Sequence, residues 1–173
     1  DGNDTLLGGA GNDSIDGGAG NDIVRYGSAL AGVNVNLATG IAQDGYGGTD
    51  ELISVELVWG SAFNDVLIGG NPANGVRTST PIDGFEGFQG YAGNDTIDGG
   101  ADDDTINGGT GADTIIGGFG NDTVNLDVAA TGFEADSIDL GLEKDDAVLV
   151  SGTTGKEVLV SFVSGNVGNG MNG

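Results

Sequence analysis

The run GYAGNDTID-GGADDDTIN-GGTGADTII-GGFGNDTVN, residues 90–125, is four nine-residue segments placed end to end without a gap. Each reads approximately Gly-Gly-x-Gly-x-Asp-x-apolar-x. The sixth position is Asp95, Asp104, Asp113 and Asp122, and the eighth is Ile97, Ile106, Ile115 and Val124. Such a period governs the fold, because one unit cannot bury its single apolar side chain alone and must stack on the next.

The same register holds at the start of the chain, with a partial copy at 1–7 and full copies at 8–16 and 17–25. A single copy, 60–68, stands between the two groups. These add Asp4, Asp13, Asp22 and Asp65 at the sixth position and Leu6, Ile15, Val24 and Leu67 at the eighth. With 37% apolar residues, eight aspartates each followed two places on by an apolar residue arise by chance roughly once in a few thousand trials.

One copy divides in two. Positions one to six form a glycine-rich turn, where missing Cβ atoms allow positive φ and close backbone approach. Positions seven to nine alternate polar, apolar, polar and are too short for a helix, so they predict a three-residue strand with its central side chain inward. Thr96, Thr105, Thr114 and Thr123 then face outward, where β-branching suits a strand. Two copies make an 18-residue coil with strands on opposite faces and turns at opposite edges. Parallel stacking of about nine such coils, some 4.8 Å apart, predicts a rod roughly 45 Å long. The expected fold is all-β, a parallel β-roll or β-helix solenoid, as a single domain over 1–173.

Charge supports a cation partner. Acidic residues number 27 against four basic ones, Arg25, Arg77, Lys144 and Lys156, for a net charge of −23. That charge opposes compaction unless cations neutralise it. It also excludes nucleic acid and anionic lipid as partners, since both need a basic footprint. Cysteine and histidine are absent, which removes thiol nucleophiles, disulfides, thiolate zinc sites and imidazole catalysis. No long apolar run predicts membrane insertion. Asp1 falls inside a repeat, so the chain reads as an excerpt of a longer protein with neighbouring domains of the same polypeptide.

At these residues the chain resembles the RTX, or hemolysin-type, calcium-binding repeat family; 8–16 (GGAGNDSID) matches the pattern at every fixed position. The resemblance implies calcium ions held between turns on one edge, two copies apart. Carboxylates of the sixth position bind each ion, and main-chain carbonyls of positions one to four complete an all-oxygen shell, as suits a hard ion taking six to eight oxygens. Asp4 then pairs with Asp22, Asp95 with Asp113, and Asp104 with Asp122, while Asp13 faces the other edge. Carbonyl donors fall to Gly8, Ala10 and Gly11 beside Asp13, and to Gly17, Gly18, Ala19 and Gly20 beside Asp22. In the second block they are Gly90, Ala92 and Gly93 beside Asp95, and Gly99, Gly100 and Ala101 beside Asp104, with Asp102 in place of a glycine. Gly108, Gly109, Thr110 and Gly111 serve Asp113, and Gly117, Phe119 and Gly120 serve Asp122. Asp65 stands alone, as a ligand or as a turn cap. Tyr91 at position two is expected to crowd its turn.

Elsewhere the pattern loosens. From 26 to 59 the glycine turns disappear, Val33, Val35 and Leu37 predict a strand, and Leu52 to Val58 form a second apolar stretch; larger coils of the same solenoid are expected. Trp59 reads as a core packing residue. Asn74 and Asp83 keep the register with Pro72 and Pro81 in their turns, so Asp83 is a candidate to meet Asp65. Gly87, Phe88 and Gln89 are extra residues expected to bulge outward. Over 126–173, Asp136-Ser137-Ile138, Asp146-Ala147-Val148 and the stretch 158–163 predict a capping β segment; Asp145 and Asp146 read as solvated loop charges, and 165–173 as frayed.

In function, the residues offer no catalytic constellation, so the reading is a calcium-binding module and not an enzyme. The resemblance implies type I export of an unfolded chain by a bacterium, followed by folding in millimolar calcium outside or at the cell surface. The alternatives are a spacer in a large adhesin or an accessory module on a secreted enzyme. Ice binding is excluded, because position three carries one threonine among seven residues. Sugar binding finds no common face for Tyr26, Tyr46, Trp59 and Tyr91.

Overall fold

A computed structural model describes residues 1–70, 87–101, 103–128, 136–141, 146–152 and 161–162. Within them the chain forms β1 (Thr5–Leu6), β2 (Ser14–Asp16), β3 (Ile23–Arg25), β4 (Asn34–Asn36), β5 (Ile41–Gln43), β6 (Thr49–Ile53), β7 (Leu57–Trp59) and β8 (Val66–Ile68). There follow β9 (Gly87–Gln89), β10 (Thr96–Ala101), β11 (Thr105–Asn107), β12 (Thr114–Phe119), β13 (Thr123–Val128), β14 (Ser137–Asp139), β15 (Ala147–Gly152) and β16 (Ser161–Phe162). The described residues contain no helix. Asp102, the segment 71–86 with Asn74 and Asp83, Asp145, and the tail 163–173 lie outside them.

The strands stack in two sheets. One has seven strands in the order β1-β3-β7-β9-β11-β13-β15, and the other nine, β2-β6-β5-β4-β8-β10-β12-β14-β16. Thr5 pairs with Ile23, Thr96 with Thr114 and Thr105 with Thr123, so the predicted 18-residue coil is the repeat of both blocks. At about 4.8 Å per strand the sheets span roughly 29 and 38 Å, shorter than the rod expected from nine regular coils.

The core is the seam between the sheets. Val24, Val58, Phe88, Ile106 and Val124 line up across one face, and Leu67, Ile97, Ile115 and Ile138 across the other, all buried. Each is the second residue of its strand and points inward between outward-facing positions, as period-two alternation requires. Exposed neighbours such as Thr96 and Thr114 complete the pattern.

The middle of the chain departs from the expected plan. β4 pairs in parallel with β8, not with β2, and the gap is filled by β5, antiparallel to both β4 and β6, and by β6, which pairs in parallel with β2. An antiparallel meander thus interrupts a parallel solenoid, and gives the second sheet its two extra strands. Glycine turns do not vanish here either: Gly45 and Gly47 adopt positive φ, +72° and +103°, in the tight loop between β5 and β6, a conformation that suits residues without Cβ.

Two local expectations are corrected. Gly87 to Gln89 do not bulge outward; they form β9, paired with both β7 and β11, because Phe88 supplies the apolar residue the core needs there. Trp59 is not in the core. It ends β7 on the outer face, half-buried, with the Arg25 guanidinium 4.6 Å from its ring centre and Tyr91 edge-on at 6.2 Å. Tyr91 does not break its turn, but it holds φ at +75° in the place of a glycine.

Candidate metal centre

Each sixth-position aspartate sits immediately before a strand, at the end of its turn. Its main-chain N–H donates to a carboxylate oxygen of the equivalent residue one coil on. On the edge leading into the seven-stranded sheet, Asp4 donates to Asp22 Oδ1 at 2.7 Å, and Asp22 to Glu56 Oε2 at 2.9 Å. On that edge Asp104 also donates to Asp122 at 3.0 Å, and Asp122 to Asp146 at 3.0 Å. On the opposite edge Asp13 donates to Asp50, Asp65 to Asp95, Asp95 to Asp113 and Asp113 to Asp136, at 2.8 to 3.1 Å. The three expected pairs, Asp4 with Asp22, Asp95 with Asp113 and Asp104 with Asp122, are therefore neighbours in carboxylate ladders along the two edges.

The fifth position carries a second ladder. Asn21 N–H donates to Asn3 Oδ1, Asn94 to Asn64, Ala112 to Asn94 and Asn121 to Asp103, at 2.7 to 3.0 Å. Together the ladders lock turn upon turn while occupying only one oxygen of each aspartate.

The remaining oxygens define the site. Asp22, Asp95, Asp104, Asp113 and Asp122 are at most 2% exposed. The Oδ2 atoms of Asp22 and Asp95 are buried with no hydrogen-bond partner, and Oδ2 of partly exposed Asp13 is equally enclosed and unbonded. Buried carboxylate oxygens without a partner are costly, because desolvation is not returned by any donor. These oxygens point back at the first glycine of their own turn. A Cβ on Gly99 would lie 2.5 Å from Asp104 Oδ2 and 2.6 Å from the carbonyl oxygen of Gly117, one coil on. The first glycine is thus absent of side chain because a carboxylate and a carbonyl converge on that space. At Gly90 the same convergence joins Asp95 Oδ2 and the Gly108 carbonyl.

Electrostatics match the geometry. Burial pushes the Asp95 carboxyl up to about 7, and the neighbouring charges of Asp65 and Asp113 push it the same way. Without a cation, a column of like charges in low dielectric favours the neutral form. A divalent ion there would offset both causes by pairing the buried charge.

The sequence comparisons agree with this chemistry. A family model of the RTX calcium-binding nonapeptide repeat, in four copies, matches residues 1–28, 55–71 and 89–124. The chain carries RTX calcium-binding nonapeptide repeats. The RTX repeat family binds calcium ions. No curated protein matches the chain.

The RTX turns fit calcium by combining two kinds of donor. No group of three or more acidic side chains suited to a metal occurs among the described residues, so main-chain carbonyls must supply most of a shell of six to eight oxygens. The carbonyls of Gly108 and Gly117 face the carboxylates, as position-one donors should. Position-three carbonyls are more committed: Ala19 accepts from Gly2 N–H and Thr110 from Gly93 N–H. Ala101 and Phe119 are strand residues paired with each other.

Asp65 departs from the other repeat aspartates. Its Oδ2 accepts from Ser61 N–H at 2.7 Å, and its Oδ1 from Ser61 Oγ at 2.6 Å and Val33 N–H at 2.9 Å. Ser61, at the second position, caps the turn that an ion would otherwise hold. Asp13 meets Asp50, a residue the sequence reading passed over. Nearby Asp44 is fully buried; burial alone would raise its carboxyl, but main-chain N–H donors from Tyr46, Gly48, Gly11 and Gly47 outweigh it and hold it low.

Four acidic residues thus join the ladders beyond the regular repeats: Glu56, Asp50, Asp136 and Asp146. All share the signal of an acid two places before a buried or part-buried apolar residue, Val58, Leu52, Ile138 and Val148. Asp146 is correspondingly no solvated loop charge, because its Oδ1 accepts the Asp122 N–H. The aromatic residues do not make a sugar platform. Trp59 and Tyr91 share a face after all, but Arg25 covers the Trp59 ring, and Tyr26 is buried.

Proposed function

We propose that this chain is a calcium-dependent folding module of an exported bacterial protein. Calcium shared by Asp4 and Asp22, Asp95 and Asp113, and Asp104 and Asp122 would clamp successive coils. The observation that carries the reading is the set of buried sixth-position carboxylates: Oδ1 of Asp22, Asp95, Asp113 and Asp122 accepts the N–H of the preceding turn, and Oδ2 of Asp22, Asp95 and Asp104 faces a main-chain carbonyl.

The physical logic is one of linkage. Ligand binding to the folded state alone stabilises that state, so a site that exists only when coils stack converts binding free energy into folding free energy. A net charge of −23 and a core one side chain wide leave the calcium-free chain with little to oppose conformational entropy. Extracellular calcium modules bind at about 10⁻⁴ to 10⁻³ M, a range in which the chain stays unfolded during export and folds outside the cell. RTX repeats are typical of secreted bacterial proteins, which fits that location.

Circular dichroism during a calcium titration tests the reading. The spectrum is expected to pass from coil to β as calcium rises toward the millimolar range. A full β spectrum in excess chelator would refute calcium-dependent folding while leaving the fold intact.

A further inference from the structure

The register of the first block does not stop at its last repeat. One coil beyond the turn of Asp22, on the same edge, lies the segment Ser54-Val55-Glu56, which has neither glycine nor aspartate. Even so, it reproduces the contacts of a repeat turn. Glu56 Oε2 accepts the Asp22 N–H at 2.9 Å, as Asp122 Oδ1 accepts that of Asp104 at 3.0 Å. The Asp22 carbonyl in return accepts from Leu57 N–H at 3.0 Å and Glu56 N–H at 3.2 Å, and Gly17 N–H donates to the Ile53 carbonyl at 3.0 Å.

The space beside Gly17 matches the space beside Gly99. A Cβ on Gly17 would lie 2.6 Å from Asp22 Oδ2 and would strike the carbonyl oxygen of Ser54. On Gly99 it would meet Asp104 Oδ2 and the Gly117 carbonyl. Ser54 therefore presents its carbonyl where a regular turn presents that of its first glycine. Asp22 is 0% exposed, and its Oδ2, aimed into this space, has no hydrogen-bond partner. The two oxygens of Asp22 face opposite neighbours: Oδ1 takes the Asp4 N–H from the preceding turn, and Oδ2 turns toward Ser54 in the following one.

We infer that this junction holds a further calcium ion, bound by Asp22 Oδ2, the Ser54 carbonyl and the Glu56 carboxylate. It would join the first repeat block to the middle of the chain. Two carboxylates balance the charge of one divalent ion, and the carbonyl adds the hard oxygen that calcium requires. Glutamate serves where aspartate is usual because this turn is shorter, and the extra methylene lets the carboxylate reach the same ladder. The inference rests on the calcium-binding reading of the repeats.

The test is calcium stoichiometry by isothermal titration calorimetry on the whole chain, comparing wild type, Glu56→Gln and Asp95→Asn. Glu56→Gln keeps an oxygen acceptor for the Asp22 N–H but removes the charge, and it is expected to bind one ion fewer. Asp95→Asn should lose ions in the second block only, and the double variant should show both losses. An unchanged count in Glu56→Gln, alongside a loss in Asp95→Asn, overturns the junction site and leaves the repeat reading standing. No calcium bound by wild type, or no loss in either variant, overturns both. Should Glu56→Gln fail to fold, Asp22→Asn compared with Asp4→Asn decides. Asp22 serves two neighbours and should lose one ion more than Asp4 does; equal losses overturn the inference.

Discussion

The main-chain N–H of Asp95 donates to Oδ1 of Asp113 at 2.9 Å, and the Oδ2 of Asp95 is left buried with no hydrogen-bond partner. One oxygen of the Asp95 carboxylate aligns the coils by accepting the Asp65 N–H, and the other lies at a place lined by the Gly108 carbonyl. Hydrogen bonding alone leaves such an arrangement uncompensated. In the function proposed above, calcium supplies what the protein donors do not, and the stack of coils supplies the site that an unfolded chain lacks.

Asp95→Asn and Asp65→Asn should behave differently although both lie on one ladder. Asparagine at 95 keeps an acceptor but loses the charge facing the Gly108 carbonyl, so calorimetry should record weaker or fewer calcium sites. Asp65 is capped by Ser61 N–H and Oγ. Asp65→Asn should leave the calcium count unchanged and lower stability by about 1–3 kcal/mol, the cost of disturbing buried hydrogen bonds. Loss of an ion in Asp65→Asn would show that Ser61 does not replace calcium there.

Gly99→Ala should be among the most damaging small changes in the chain. The new methyl group would sit 2.5 Å from Asp104 Oδ2 and 2.6 Å from the Gly117 carbonyl oxygen. Overpacking of this kind costs about 1–3 kcal/mol, and here it also occupies the metal space. The calcium midpoint for folding should rise. Gly27→Ala, where a Cβ meets nothing within 4 Å and φ is not positive, should leave that midpoint in place.

Acidification should act in opposite directions with and without calcium. Burial first, then the charges of Asp65 and Asp113, hold the Asp95 carboxyl at about 7, above the ordinary carboxylate range. A group whose folded value is raised favours folding when protonated. Its contribution is therefore fully present below the unfolded pKa of about 3.9 and is lost as pH rises through about 7. Calcium-free protein should accordingly gain structure as pH falls through this window. Calcium-bound protein should need more calcium there, since the proton and the ion compete for one carboxylate. Dichroism-monitored calcium titrations on either side of pH 7 check both signs.

Tyr91→Ala and Tyr91→Gly should separate strain from packing. Tyr91 holds φ at +75°, in the left-handed region, and its ring meets Trp59 edge-on. Alanine loses the ring contact, worth about 0.5–1.5 kcal/mol, and keeps the backbone penalty of about 1–2 kcal/mol. Glycine loses the contact but relieves the penalty, so it should be close to neutral in thermal unfolding at saturating calcium. In both variants the fluorescence of Trp59 should shift toward that of a more hydrated indole.

The repeat blocks were legible because their chemistry is local. A nine-residue turn and strand needs its glycines, its aspartate and its inward apolar residue at fixed places, so the coil and its edges could be read from spacing, and the paired aspartates from the family resemblance that the spacing carries. The middle was not legible for the opposite reason. β4 finds its partner β8 across 32 residues (Asn34 with Val66), and β5 runs antiparallel between β4 and β6. No local pattern announces either choice. Glu56 and Asp50 escaped notice because their turns lack the spelling of a repeat, although both precede a buried apolar residue by two places. Phe88 was misplaced by counting: three residues that break a nine-residue period still make one strand.

Hydrogen–deuterium exchange over residues 90–125, with and without calcium, tests the central claim most directly. The main-chain N–H groups of Asp95, Asp104 and Asp113 donate across coils to carboxylates, so their protection reports stacking itself. The account predicts slow exchange throughout this segment in millimolar calcium and fast exchange, near that of an unfolded chain, in chelator. Equally slow exchange in both conditions would contradict it, because the ladders would then be holding the coils together without the ion.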